Sequence, residues 1–563
     1  MKSDKITGSE VLLRSLIDEG VECIFGYPGG QAIPIYDKLY DYKDKLRHVL
    51  VRHEQGATHA AQGYARVSGK VGVTLVTSGP GATNTVTGIA DAMLDSTPLV
   101  VITGQVPSSL LGTDAFQEVD IIGITLPITK WAYQIRRTED IAWAVSRAFY
   151  IASTGRPGPV VIDISKDAQV GLADYVYKRV DYVRSYQPWP VIDKERISKA
   201  ADLINKAKRP LALVGQGVIL SGAEKELKAF LEKADIPAGS TMLGLSAMSS
   251  DYHLNKGMLG MHGNIGPNRK TNECDVLIAI GMRFDDRVTG GLDTYAKQAK
   301  VIHFDVDVSE LDKNVKTEVK VLGNAKDTLR EVTKLLKPSK HEKWINSFKA
   351  DEKEENGKVI EKEINPDSGH LRMGEVVRKV SEATGNKAVL VTDVGQNQMM
   401  GVRYFKYTKT RSVVTSGGLG TMGFGLPASI GAKIGAPDRT VCLFLGDGGM
   451  QMTLQELGTI MQENLDIKII LLNNNFLGMV RQWQELFFKE RYSSTEMRNP
   501  DFVSIAKAFS IGAREVQKRE ELDDAIKEML EYKGSFLLVA NVEKCGMVYP
   551  MVPAGGCITE MIY

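Results

Sequence analysis

Gly446-Asp447-Gly448 places a carboxylate between two glycines, and one helical stretch and one apolar run later come three asparagines, Asn473 to Asn475. The run VCLFLG reads as a strand ending at Gly446, and IKIILLNNN as the next strand. Between them TLQELGTIMQEN carries apolar residues at Leu454, Leu457, Ile460 and Met461, the spacing of a helix packed on a sheet. A right-handed strand-helix-strand unit returns to the same sheet edge, so Asp447 and Asn474 are expected side by side at the carboxyl end. Carboxylate, amide and carbonyl oxygens suit Mg²⁺, a hard ion that usually bridges to phosphate. The glycines let a phosphate approach the backbone. Taken alone, Gly-Asp-Gly is most simply a surface turn; the polar asparagines ending an apolar strand carry the chemical reading.

The elements that must position these groups recur throughout. VGVTLVTSG, PLVVITGQ, RPLALVGQG, CDVLIAIG and KVIHFDVD are short β-rich runs separated by helix-length segments, the rhythm of α/β domains built on parallel sheets. A chain of 563 residues supports about three such doubly wound domains. The proline-rich 185–195 and the highly charged 336–369 read as connectors, giving an N-terminal domain over 1–185, a central domain over 190–340 and a C-terminal domain over 365–563. VTLVTSGPGATN from Val73 and RSVVTSGGLGTMG from Arg411 share a strand, a Thr-Ser-Gly and a glycine-rich turn, so the outer domains are expected to share one plan.

Bulk composition excludes several classes. With 70 basic against 69 acidic side chains there is no global field for nucleic acid or an anionic membrane. The five cysteines, Cys23, Cys274, Cys442, Cys545 and Cys557, form no C-x-x-C pair, which argues against zinc, redox or disulfide frameworks. MKSDKITGSE lacks a signal-peptide layout and no apolar run is membrane-spanning, so a cytoplasmic protein is expected.

The spacing of Asp447 and Asn474 resembles the thiamine diphosphate motif, which implies Mg²⁺ held by Asp447, Asn474 and the Phe476 carbonyl. That resemblance requires an N-terminal glutamate to give its proton to the aminopyrimidine ring nitrogen. LVRHEQGATHAAQGYAR supplies Glu54, after a strand and opening a helix. Ala57 rules out a zinc-peptidase H-E-x-x-H, and the spacing before Gly69-Lys70 rules out a phosphate loop. TSGGLGTMGFGLPA resembles the segment gripping the aminopyrimidine, implying a role for the Gly420 carbonyl and for Met422 as a wedge under the bent cofactor. DVGQNQ resembles the diphosphate loop, implying Gly395, Gln396 and Asn397 beside Gly446 and Gly448; most relatives carry histidine at Asn397.

Further stretches, GYPGG, AFQEVD, GMLGMHG, MRFDDRVTG, GMVRQWQ and MVPAG, look like the catalytic subunit of the biosynthetic acetohydroxyacid synthase (acetolactate synthase) family. That family decarboxylates pyruvate and joins the two-carbon unit to pyruvate or 2-ketobutyrate, toward valine, leucine and isoleucine. The resemblance implies that Gly30, Phe116, Gln117, Lys166, Met479 and Trp483 surround the reacting ketoacids. LVGQGV, GMHG, RFDDR and HFDVD resemble an FAD-binding middle domain, implying Arg156, Gly215, Gly217, His262, Gly263, Arg283, Asp285, Arg287 and Asp305 as flavin contacts. It also implies a homo-oligomer with sites between chains and room for a small regulatory subunit. The competing readings are a flavin-free catabolic acetolactate synthase, another thiamine diphosphate decarboxylase or carboligase, and a non-catalytic cofactor-binding protein.

Overall fold

The computed structural model describes residues 5–563. Three six-stranded sheets, parallel throughout, follow one another along the chain. The first comprises Cys23–Gly26, Arg47–Leu50, Gly72–Val76, Leu99–Gln105, Trp131–Ile135 and Pro159–Ser165. The second comprises Pro210–Val214, Ala238–Ser240, Asn255–Met258, Val276–Ile280, Lys300–Asp305 and Val319–Leu322. The third comprises Val389–Thr392, Val413–Val414, Val441–Gly446, Lys468–Asn473, Gly512–Val516 and Phe536–Asn541.

Counting strands within each unit, the first and third sheets share the spatial order 2-1-3-4-6-5. The Thr-Ser-Gly turns follow different strands of that order, Thr77–Gly79 after the third strand and Thr415–Gly417 after the second, so the shared plan rests on strand order and not on that echo. The middle sheet runs 3-2-1-4-5-6, the order of dinucleotide-binding folds, whose switch point lies between its first and fourth strands. The strands are buried on both faces, as in Val441–Leu445 and Val276–Ile280, which explains their continuous apolar sequence.

The charged stretch 336–369 differs from the expected connector. Much of it is helical, with Glu342–Glu355 running on through Asn356–Ile360 to Ile364, and Trp344 and Phe348 are buried. Its charges face outward or pair: Arg269 meets Asp351 and Glu354, and buried Glu355 pairs with Arg403 and accepts from the Ile265 N–H. The segment after Asp447 also differs. It breaks into Asp447–Met452, a tight turn Leu454–Glu456 and Leu457–Gln462, which leaves Met461 exposed while Leu457 and Ile460 are buried. No helix among the described residues is long and apolar enough to cross a membrane.

The outer domains pack on each other through helices Glu54–Ser68 and Gly425–Gly435, which follow corresponding strands of the two sheets. Glycine makes the approach possible. A Cβ on Gly431 would lie 1.7 Å from the Ala60 carbonyl oxygen, and one on Gly63 2.0 Å from that of Ala428. Gly431→Ala is therefore expected to cost about 1–3 kcal/mol or more by overpacking. An unchanged melting temperature would show that the helices separate freely.

Candidate active site

The N-terminal groups gather at the carboxyl edge of the first sheet. His53 caps the helix beginning at Glu54, accepting at Nδ1 from the Gln55 N–H at 3.2 Å. Glu54 Oε2 accepts from Asn84 Nδ2 at 2.9 Å, and the position of a Gly81 Cβ lies 3.3 Å from Glu54 Oε1. The neighbouring Gly79, at φ +56°, has Gln117 folded over it, so close that a Cβ would meet the Gln117 carbonyl at 2.8 Å. Gln117 itself holds φ +59°. Lys166 Nζ reaches the Gly30 carbonyl at 3.5 Å, and the Gln31 N–H reaches Thr77 Oγ1 at 3.2 Å. Phe116 stands 83% exposed and covers nothing in its own chain.

The third sheet gathers the other set. Asp447 begins a helix directly after its strand and is 1% exposed; burial pushes its carboxyl above the ordinary range. Its partners are neutral, the Gly448 N–H at 3.0 Å and Asn499 Nδ2 at 2.6 Å, and no cation pairs with it among the described residues. Asn474 is buried beside it at the end of the next strand. Its Nδ2 donates to Gln396 Oε1 at 3.2 Å and its Oδ1 accepts from the Phe476 N–H at 3.2 Å. Asn397 lies against Gly446, whose Cβ position is 3.4 Å from Asn397 Nδ2, while its buried Oδ1 has no protein partner. Met422 closes the set, with its Cε 3.4 Å from the Cβ position of Gly448. Gly420 is exposed at φ +69°, a backbone conformation that favours glycine.

The oxygen donors and the uncompensated carboxylate fit a hard divalent ion on a diphosphate. Residues that hold this edge escaped the sequence reading. Asn499 Nδ2 serves Asn473 Oδ1 at 2.9 Å and Asn475 Oδ1 at 3.0 Å besides Asp447, but it sits in a polar loop before Pro500 that carries no periodic signal. Asp393, fully buried, accepts from the N–H groups of Val394, Gly423 and Gly425 and so fixes the Met422 loop to the diphosphate loop. Asp95 accepts from the N–H groups of Gly417 and Gly418 at 2.8 and 2.6 Å, and Asp91 from Thr421 Oγ1 at 3.1 Å, pinning the glycine turn to the first domain. Asn499→Ala is expected to weaken Mg²⁺ binding about 10- to 100-fold, the usual cost of losing an outer-shell partner. Metal titration by equilibrium dialysis at saturating thiamine diphosphate measures it.

A cavity of about 670 Å³ opens beside the switch point of the middle sheet and reaches the third domain. Of the flavin candidates, Arg156, Gly217, His262, Arg283, Asp285, Arg287 and Asp305 line it. Gly215 and Gly263 instead permit tight turns: a Cβ on Gly215 would be 2.2 Å from the Gly281 carbonyl, and one on Gly263 2.6 Å from the Leu259 carbonyl carbon. Burial lowers His262 to about 4, keeping it neutral, against an opposing hydrogen bond with the Pro550 backbone. Burial raises Asp305 to about 7. Arg156 pairs with Asp307 and Glu310, and Asn324 caps the following helix through the Lys326 N–H at 2.9 Å. Size, strand order and the mix of polar and apolar lining fit a dinucleotide such as FAD. Met479, Trp483, Val394 and Gly417–Gly420 line the far end, so the cavity runs up to the glycine-rich turn of the third domain.

Glu54, Gln117 and Lys166 do not line this cavity. Among the described residues no hydrogen bond or ion pair joins them to Asp447, Asn474 or Phe476.

The family model described as the N-terminal TPP binding domain of thiamine pyrophosphate enzymes matches residues 6–124. The models for the central domain and the C-terminal TPP binding domain match 197–332 and 393–540. The chain is 44% identical to the acetolactate synthase large subunit of Corynebacterium glutamicum, covering 100% of this chain and 90% of that protein. It is 43% identical to the Haemophilus influenzae large subunit, covering 99% of this chain and 98% of the relative. With the acetolactate synthase isozyme 2 large subunit of Escherichia coli it shares 41% identity, over 99% of each chain. Sheet order and whole-length similarity agree: this chain belongs to the acetolactate synthase large-subunit family of thiamine pyrophosphate enzymes.

Proposed function

We propose that the protein decarboxylates pyruvate and joins the two-carbon unit to pyruvate or 2-ketobutyrate, giving acetolactate or acetohydroxybutyrate for branched-chain amino acid synthesis. The observation that carries this reading is Asp447, a buried carboxylate with no cation partner among the described residues, close to Asn474 at one sheet edge. When bound, thiamine diphosphate supplies the electron sink for decarboxylation. Asp447, the Asn474 amide oxygen and the Phe476 carbonyl would hold Mg²⁺ for the diphosphate, with Gly395, Gln396, Asn397, Gly446 and Gly448 lining that end of the site. The Gly420 carbonyl and Met422 orient the pyrimidine, and Glu54 holds the proton at the pyrimidine ring nitrogen.

Each complete site takes Glu54, Gln117 and Lys166 from one chain and the Asp447 set from another. Two features support that assembly: the two sets share no bond within a chain, and Phe116 is left bare. Lys166 steers the anionic ketoacid, and Met479 and Trp483 shape the acceptor pocket, where a large aromatic discriminates an added methyl group. Arg156, His262, Arg283, Asp285, Arg287 and Asp305 would hold FAD in the middle-domain cavity, where it would serve a structural role. The relatives are named large subunits, which supports a small-subunit partner. We place the protein in the cytoplasm.

Incubation with pyruvate, Mg²⁺, thiamine diphosphate and FAD, with and without 2-ketobutyrate, tests the reading through the products formed. Acetolactate alone, and acetohydroxybutyrate when the second acid is added, are expected. Release of acetaldehyde without carbon-carbon bond formation would exclude a carboligase. A purified protein without flavin colour would favour the flavin-free catabolic reading.

A further inference from the structure

Glu456 is fully buried, yet no function described above uses it. It lies at the end of the turn Leu454–Glu456 in the third domain, on the segment that begins with Asp447. Its Oε1 crosses to the first domain and accepts two backbone N–H groups, Arg52 at 3.0 Å and His53 at 3.1 Å. These are the peptides immediately before Glu54. Oε2 accepts from Thr459 Oγ1 at 2.7 Å, so the carboxylate cannot turn away without losing a buried partner. Gly56, in the first turn of the Glu54 helix, leaves the room it needs: a Cβ there would lie 2.5 Å from Glu456 Oε1. Arg52 strengthens the junction by donating to the Gly458 carbonyl at 3.2 Å and to Gln462 Oε1 at 2.8 Å.

The arrangement is specific in what it fixes. The orphan N–H groups at a helix start are normally satisfied by the helix's own cap or by water. His53 caps the Gln55 N–H, while the Arg52 and His53 N–H groups depend on a carboxylate from another domain. The direction in which Glu54 leaves the backbone is thereby set by the third domain of its own chain. Burial raises the Glu456 carboxyl, which its three donors and the nearby Arg52 charge oppose.

We propose that Glu456 is a positioning residue for Glu54, acting through the backbone N–H groups of Arg52 and His53 and locking the proton-holding acid to the segment that carries Asp447. This rests on the proposed role of Glu54. A displacement of the order of 1 Å at a reacting group costs up to about 10²-fold in rate. Glu456→Met, which fills the space but accepts no hydrogen bond, is expected to lower kcat about 10- to 100-fold with little change in KM for pyruvate. Glu456→Gln keeps an acceptor oxygen toward both N–H groups and is expected to restore most of the loss. Gly56→Ala, which displaces the carboxylate from the opposite side, is expected to repeat the effect of Glu456→Met.

The deciding measurement is a double-mutant cycle on the full holoenzyme, assayed below the melting temperature of every variant. If Glu456 acts through Glu54, adding Glu456→Met to Glu54→Gln produces almost no further loss. Losses that multiply would reduce Glu456 to a general stabiliser and overturn the proposal. So would a fully active Gly56→Ala, or a Gln variant as impaired as the Met variant. Should Glu456→Met not fold, the same cycle with Gly56→Ala decides it. Failure of the proposed reaction itself is distinguishable, because the unaltered protein would then form no product from pyruvate.

Discussion

Glu54→Gln is expected to reduce turnover by about 10²- to 10⁴-fold, the range for losing a positioned general acid-base group. The substitution keeps shape and one oxygen, so the Asn84 contact at 2.9 Å and the helix start after His53 survive. What disappears is the exchangeable proton at the carboxyl. Mg²⁺-dependent cofactor binding depends on Asp447 and Asn474 and should stay largely intact, as judged by titration of the variant with thiamine diphosphate. A variant of normal turnover would remove Glu54 from the mechanism. So would a variant that loses cofactor affinity in proportion to turnover, since the acid would then be serving binding alone.

Asp447→Asn should abolish the metal response while leaving the fold in place. Asp447 is buried with only neutral hydrogen-bond partners, so an ionised carboxylate there is unfavourable until a cation arrives. Replacing it by the isosteric amide removes the buried charge from the metal-free protein but turns an NH2 toward one of two donors, Asn499 Nδ2 or the Gly448 N–H, so the metal-free melting temperature should change little. In the unaltered protein, Mg²⁺ and thiamine diphosphate at 100 times their dissociation constant should add about 2.7 kcal/mol of stability. The variant should show almost none of it, and its metal affinity should fall by more than the ~100-fold attached to outer-shell partners. Paired thermal melts with and without the ligands measure both effects. A variant retaining the full ligand-induced shift would place the metal elsewhere.

Both expectations started from residues legible in the sequence, and the structure shows why. Asp447 and Asn474 end two neighbouring strands of apolar sequence, and neighbouring parallel strands deliver their last residues to one edge whatever else the chain does. The Thr-Ser-Gly echo between Val73 and Arg411 pointed to the shared plan of the outer domains, but the two turns follow the third strand of one sheet and the second of the other, because local turn chemistry does not fix which strand it follows. The helix after Asp447 was less legible. Leu454, Leu457 and Ile460 follow a helical spacing, yet the chain breaks at the tight turn Leu454–Glu456 that carries Glu456 to the other domain. Likewise the acidic and basic residues of 342–364 look like a solvated linker in sequence, whereas Trp344 and Phe348 bury one face of a helix there.

By itself the sequence determined three α/β units and an oxygen-rich edge at Asp447 and Asn474, which follow from residue type, period and strand order; Glu54 and the thiamine diphosphate reading of that edge came from resemblance to a family. Only the tertiary structure decided how the parts are held: Asn499 on Asp447, Asp393 and Asp95 on the glycine loops, and Glu456 beneath Glu54. Each of those contacts joins residues distant in the chain through a single side chain, and such a contact leaves no repeat or spacing in the sequence. The two that cross between the outer domains, from Asp95 and Glu456, also sit at an interface where glycines at 63 and 431 let two helices close together.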